Sequence, residues 1–211
     1  MIDAVPLSSS RRQALLIAAC ALVTAAIYVL RLDRVAGLVV DDAWYILLAR
    51  SLAAGTGYGL VNSPAAAMVL PPNPPGFAVV LSLVFAVKPS FPENVLWLKF
   101  VGVASMFGVG VLTYRYAVAR AIPAAAAVLL AMAVVVTPAF VFLATSTVMS
   151  EGFFTLTQLA AIVMFERSAR SENAGRDATM AGALAAAAVL IRTAGLPVPV
   201  GGALYLLWRR R

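Results

Sequence analysis

From Ala121 to Val141 the chain runs through twenty-one residues without one charged side chain, and the stretch from Ala14 to Leu30 is equally free of charge. Runs of this kind are long enough to cross the hydrocarbon of a bilayer, which takes about twenty residues of helix. Inside lipid no water is available to backbone amides and carbonyls, so a crossing segment must satisfy them internally, as a helix. A chain that is 63% hydrophobic and 12% charged, with a mean hydropathy of +0.95, lies outside the soluble globular class. The expectation is an all-α membrane protein, residues 1–211 forming a single membrane domain.

The apolar runs place six crossings, at about Gln13–Leu30, Val95–Ala117, Ala121–Val141, Gly152–Phe165, Ala178–Ile191 and Leu196–Trp208. Pro123 falls near the first turn of the third, where proline is tolerated. Arg11 and Arg12 precede the first span, which puts the N-terminus in the cytoplasm. The run before Cys20 is short for a signal peptide and continues unbroken to Leu30, so the span reads as an uncleaved anchor. A seventh candidate, Gly76–Val87, has only 12 residues, which suits a re-entrant or interface-lying helix. Leaving it out of the crossings places ten of the sixteen basic residues on the cytoplasmic side, among them Arg115, Arg120, Arg167, Arg170 and Arg176. Counting it as a crossing inverts everything downstream and exports most of those arginines. Six crossings therefore satisfy the positive-inside rule, in a multi-pass protein of the inner (plasma) membrane.

The net charge of +7 sits at the ends of apolar runs, so it serves anchoring and not nucleic-acid binding. One cysteine and no histidine exclude a disulfide framework and the common Cys/His metal sites. No P-loop, GxGxxG, HExxH or Ser-His-Asp set is present, and neither is an ion-channel filter or an Arg-rich voltage sensor.

What remains is a large first extracytoplasmic loop, about residues 31–94, carrying juxtamembrane helices. Its "DDAWYILLARSLAAG" segment predicts a helix with Asp41 or Asp42 capping the first turn and Gly55 ending it. In the interface, Arg50 snorkels while Trp44 and Tyr45 sit at headgroup level. One carboxylate suffices for a cap, so the second of the Asp41–Asp42 pair is either a further dipole partner or a base held at the membrane surface. In "VLPPNPPGF" four prolines hold Asn73 in an extended segment, as a spacer launching the next helix or as a rigid wall presenting Asn73 to a ligand. Ser150 and Glu151 open the fourth span on the same external face. Glu151 complements the helix dipole or joins a site. Arg192, in the outer turn of the last hairpin, snorkels, pairs with one of these acids, or holds a phosphate. Packing alone does not predict that Asp41, Asp42, Asn73, Glu151 and Arg192 should share one face of the membrane.

Taken in order, "DDAWYILLARSLAAGTGY", "PPNPPGFAVVLSLVFAV", "STVMSEGFFTLTQLAAIVMFER" and "AAAAVLIRTAGLPVPVGGALYLLWRRR" resemble the GT-C superfamily of integral-membrane glycosyltransferases, nearest its protein-mannosyltransferase and aminoarabinose-transferase branch. The resemblance implies transfer of a sugar from a polyprenyl-phosphate donor to an acceptor (lipid, glycan or protein) on the extracytoplasmic face. Its partners are then that donor, the acceptor and membrane lipid, with no nucleic acid. It gives Asp41 the role of catalytic base with Asp42 in support, and makes Asn73, Glu151 and Arg192 substrate-binding residues, Arg192 toward the donor phosphate. No cofactor is implied, and a divalent metal is left open. Asn73 departs from the lysine found at that place in aminoarabinose transferases, which argues against a lipid A phosphate contact of the same kind. The likeness covers the N-terminal half of the family's membrane module, so further spans are expected downstream or from a partner. A non-catalytic scaffold, a transporter-like subunit and an inactive fragment are the alternatives.

Overall fold

The computed structural model describes residues 7–60, 71 and 73–209. Residues 69, 70 and 72 of the proline segment and the terminal Arg210 and Arg211 lie outside the described residues. Regular structure among the described residues is helical: α1 (Leu7–Arg31), α2 (Val40–Ala53), α3 (Pro75–Val87), α4 (Val95–Ala119), α5 (Ala124–Val135), α6 (Pro138–Thr145), α7 (Glu151–Ser168), α8 (Ala174–Ile191) and α9 (Pro197–Arg209), with a 3-10 turn at Thr193–Gly195.

Three of these helices, over Arg11–Arg31, Val95–Ala119 and Ala174–Ile191, are long and apolar enough to cross a membrane. The run expected to cross as one span from Ala121 is broken. Ala121 and Ile122 close the end of α4, Pro123 stands at the N-cap of α5, and α5 and α6 are bent 56° apart around Val136–Thr137. Pro138 explains the break, because it has no N–H for the ladder and its ring collides with the carbonyl four residues earlier. The freed carbonyls find partners: Tyr28 Oη donates to the Val135 carbonyl at 2.7 Å and Thr137 Oγ1 to that of Ala133 at 3.0 Å. Counted together, the pair makes a fourth candidate span. Of the two other expected crossings, α7 carries Glu151, Glu166 and Arg167, and α9 is only 13 residues long. By length and composition the count is therefore three or four, against the six expected.

Helix α4 is the central post, packed against α3, α5, α6 and α7, and α7 in turn lies along α8. The α7–α8 seam is built from small side chains: Ala161, Ala181, Ala185 and Ala188 are all fully buried, which lets the two backbones approach closely. A second core gathers Tyr45, Ile46, Phe77, Leu81, Leu98 and Ile191 from α2, α3, α4 and α8. Helices α2 and α3 match the expected short helices. Tyr45, however, is 2% exposed, with its ring edge-on to Phe77 at 5.0 Å. It faces protein and not the headgroups.

Candidate functional site

Between α6 and α7 the chain leaves helical geometry for residues 146–150, and Ser146, Thr147, Val148, Met149 and Ser150 are all buried. A buried break orphans backbone groups at both helix ends, and in an apolar surrounding each has to be met. Two side chains and one backbone amide do so. Lys99, with no exposed side-chain surface, donates to the Thr145 carbonyl at 2.9 Å, to the Asp33 carbonyl at 3.0 Å and to Asp33 Oδ1 at 2.6 Å. The Asp33 amide donates to the same Thr145 carbonyl. Asp42, fully buried, accepts from the amides of Gly37 at 2.6 Å, Leu38 at 3.2 Å and Val148.

This explains the second carboxylate of the Asp41–Asp42 pair. It does not cap its own helix, whose N-cap is Val39 and has no side-chain cap bond. It reaches back to the loop before α2 and across to the break before α7. Burial pushes the Asp42 carboxyl up from its ordinary value, and the three amides together with Lys99 offset only part of that. Asp33 goes the other way. Its modest burial acts upward, but the hydrogen bonds from Lys99, Ser146 and the Val35 amide outweigh it and hold its pKa low.

Asp42 being occupied leaves Asp41 separate. Asp41 is half-buried, and among the described residues it has no hydrogen-bond or ion-pair partner. One turn later on the same face of α2, Tyr45 Oη shares a hydrogen bond with Ser150 Oγ at 3.1 Å. Arg192 Nη1 donates to that same Ser150 Oγ at 3.1 Å and to Glu151 Oε1 at 2.7 Å. Of the readings open for Arg192, pairing with an acid is the one observed. Burial raises the Tyr45 hydroxyl's pKa; the Ser150 bond and Arg192 act against this, while Glu151 and Asp41 add to it. Asp41, Glu151 and Arg192 thus all bear on one hydroxyl.

Asn73 arrives from the other side. Tyr58 Oη donates to its carbonyl, and burial, with a further contribution from Tyr45, raises the Tyr58 hydroxyl to about 12. Both tyrosines therefore keep their protons at neutral pH. Three residues on, Gly76 lies so close to the end of α8 that a Cβ there would sit 2.7 Å from the Leu190 carbonyl carbon and oxygen. Only glycine allows this approach, which brings the start of α3 next to Arg192. Two polar atoms of the cluster are buried without a partner among the described residues: Asn73 Nδ2 and Glu151 Oε2.

The five residues singled out from the sequence therefore gather where α1, α6 and α8 end and α2, α3, α4 and α7 begin. Asp42 serves the scaffold of this end, while Arg192 joins Glu151 to Ser150 and, through it, to Tyr45; Asp41 lies one turn before Tyr45 on α2, and Asn73 is held by Tyr58. Sequence reasoning missed Tyr45, Tyr58, Lys99 and Asp33. Lys99 left a signal, a charge five residues inside an apolar helix. The tyrosines left none, since interfacial aromatics are common. At the opposite end of the bundle Arg120 pairs with Glu166, which also accepts from Tyr116, and Arg167 pairs with Asp177 at 3.0 Å. Among the described residues no three His, Cys, Asp or Glu side chains cluster as a metal site would require. The site offers one unpaired carboxylate, an arginine with one nitrogen engaged by Glu151 and Ser150, and two neutral hydroxyl donors. Compared with known protein families, with curated proteins and with solved structures, the chain matches none.

Proposed function

We propose that this chain is the membrane module of a GT-C-type glycosyltransferase that moves a sugar from a polyprenyl-phosphate donor to an acceptor on the extracytoplasmic face. In this reading all six apolar segments cross the inner membrane, the N-terminus is cytoplasmic, and α2 and α3 lie at the outer interface. The observation that carries it is Asp41, without a partner among the described residues, one turn before the Tyr45–Ser150–Glu151–Arg192 network, on the end of the bundle that this topology turns outward. A carboxylate without a partner among the described residues, acting on the same tyrosine hydroxyl as Arg192 and Glu151, has the composition of a general-base site.

The chemistry follows from that placement. Asp41 takes the proton of the acceptor hydroxyl as its oxygen bonds to the anomeric carbon. The bond from that carbon to the phosphate oxygen breaks, and the polyprenyl phosphate leaves with both electrons of the bond. Inversion results, because attack and departure are on opposite faces. Arg192 steadies the phosphate's charge, and Asp42 fixes the loop and helix start from which Asp41 projects. With the full chain in proteoliposomes supplied with polyprenyl-phosphate mannose and an oligosaccharide acceptor, Asp41→Asn is expected to lower the transfer rate by roughly a hundredfold or more. Transfer by the variant at the wild-type rate removes Asp41 from this role.

A further inference from the structure

Two atoms of this site lack a partner among the described residues, and they are complementary. Asn73 Nδ2 is a donor in need of an acceptor, and Glu151 Oε2 is an acceptor in need of a donor; both are buried. A buried polar group without a partner is costly, so such atoms call for an explanation. Packing does not supply one. Glu151 already meets Arg192 through Oε1, which satisfies its charge, and Asn73 is already fixed through its carbonyl by Tyr58. The two residues come from segments that meet the end of α8: Glu151 bonds Arg192 there, and Gly76, three residues after Asn73, abuts Leu190 and Ile191.

A ligand hydroxyl answers both needs, since it donates its proton to a carboxylate and accepts from an amide through its oxygen. A phosphate oxygen can meet Asn73 but not Glu151, and an ammonium can meet Glu151 but not Asn73. We infer that Asn73 Nδ2 and Glu151 Oε2 form a donor–acceptor pair that recognises ring hydroxyls of the transferred sugar, leaving the phosphate to Arg192. This rests on the reading of the site as a lipid-phosphate sugar site, and it divides that site into two separable parts. A ligand lacking the hydroxyls leaves both buried atoms unpaired, which is the usual source of strong discrimination.

The test uses the purified full chain in lipid nanodiscs and measures binding of farnesyl phosphate and of farnesyl phosphate carrying mannose, glucose or N-acetylglucosamine. At least one glycosylated probe should bind about tenfold more tightly than farnesyl phosphate. Asn73→Ala and Glu151→Gln should each erase most of that preference, read for each variant as the ratio of its affinities for the glycosylated and the bare farnesyl phosphate. The glutamine keeps an oxygen that accepts from Arg192 but removes the charge and turns the second position into a donor, which is why the preference is compared against each variant's own affinity for farnesyl phosphate. Binding of farnesyl phosphate with no preference for any sugar overturns the hydroxyl pair and leaves the donor site standing. An undiminished preference in both variants overturns the assignment to these two residues. No binding of any probe overturns the donor site together with the pair.

Discussion

Lys99 is a fully buried lysine in a chain with few charges, and its surroundings show why it is tolerated. Its three ammonium hydrogens go to two carbonyls and one carboxylate, so the charge is both paired and hydrogen-bonded. Replacing it by methionine keeps the volume and leaves the Thr145 carbonyl short of its charged donor at the helix break. The expected loss is about 2–3 kcal/mol of stability, less than for a fully buried pair because Asp33 is 38% exposed. Equilibrium unfolding in mixed micelles measures it, and a variant as stable as the wild type would show that the break holds without this bolt. Asp33 gives the same bolt a pH dependence. Its folded pKa lies below the ordinary 3.8, so its contribution is complete above 3.8 and is lost as pH falls through the folded value. Asp42, shifted upward by burial, has the opposite sign: its ionisation costs stability as pH rises. A melting-temperature profile should therefore fall below about pH 3.8 as Asp33 protonates and also decline above it as Asp42 ionises, and Asp33→Asn should flatten only the acid-side fall.

The end of α4 shows how local rules and the observed chain part company. The Ile122 amide bonds to the Ala117 carbonyl and the Ala121 amide to that of Val118, the paired bonds of a Schellman motif. The residue at its left-handed position is Ala121, with φ of 59°, where glycine is usual. The methyl group costs energy there, so Ala121→Gly is expected to stabilise the protein by about 0.5–1 kcal/mol. A drop in melting temperature would mean that the alanine's packing outweighs its strain. Helix α3 was legible from sequence because Pro75 marks its first turn and an apolar run of fixed length follows. The α5–α6 break was not: Pro138 was in plain view, but one proline inside an apolar run fits a kinked span as well as two helices. The 56° bend is held by Tyr28 from a helix more than a hundred residues away.

Both ends of the bundle have a distinct character, and the proposed topology turns that into an accessibility experiment. Ser90, between α3 and α4, and Glu172, between α7 and α8, are exposed on opposite ends. Cys20 is the only cysteine, so a Cys20→Ser background is clean. An impermeant maleimide should label Ser90→Cys on intact cells and Glu172→Cys only after permeabilisation. Labelling of both from outside would refute six crossings and with them the outward placement of Asp41.

The all-helical class, the approximate helix positions and the meeting of Asp41, Asp42, Asn73, Glu151 and Arg192 at one end were readable from the chain itself. Apolar run length and charge at run ends act locally and fix helix direction, and alternating direction is enough to sort residues between two ends. Which partner each residue takes at that end was not readable. Asp42 and Asp41 are neighbours of identical chemistry, and only the fold turns one toward the Gly37, Leu38 and Val148 amides while leaving the other without a partner among the described residues. Tyr45 looked like an interfacial aromatic until α3 and α7 closed over it. Hydrogen-bond assignments of this kind depend on where a backbone breaks inside a low-dielectric core. Contacts between segments a hundred residues apart set that position.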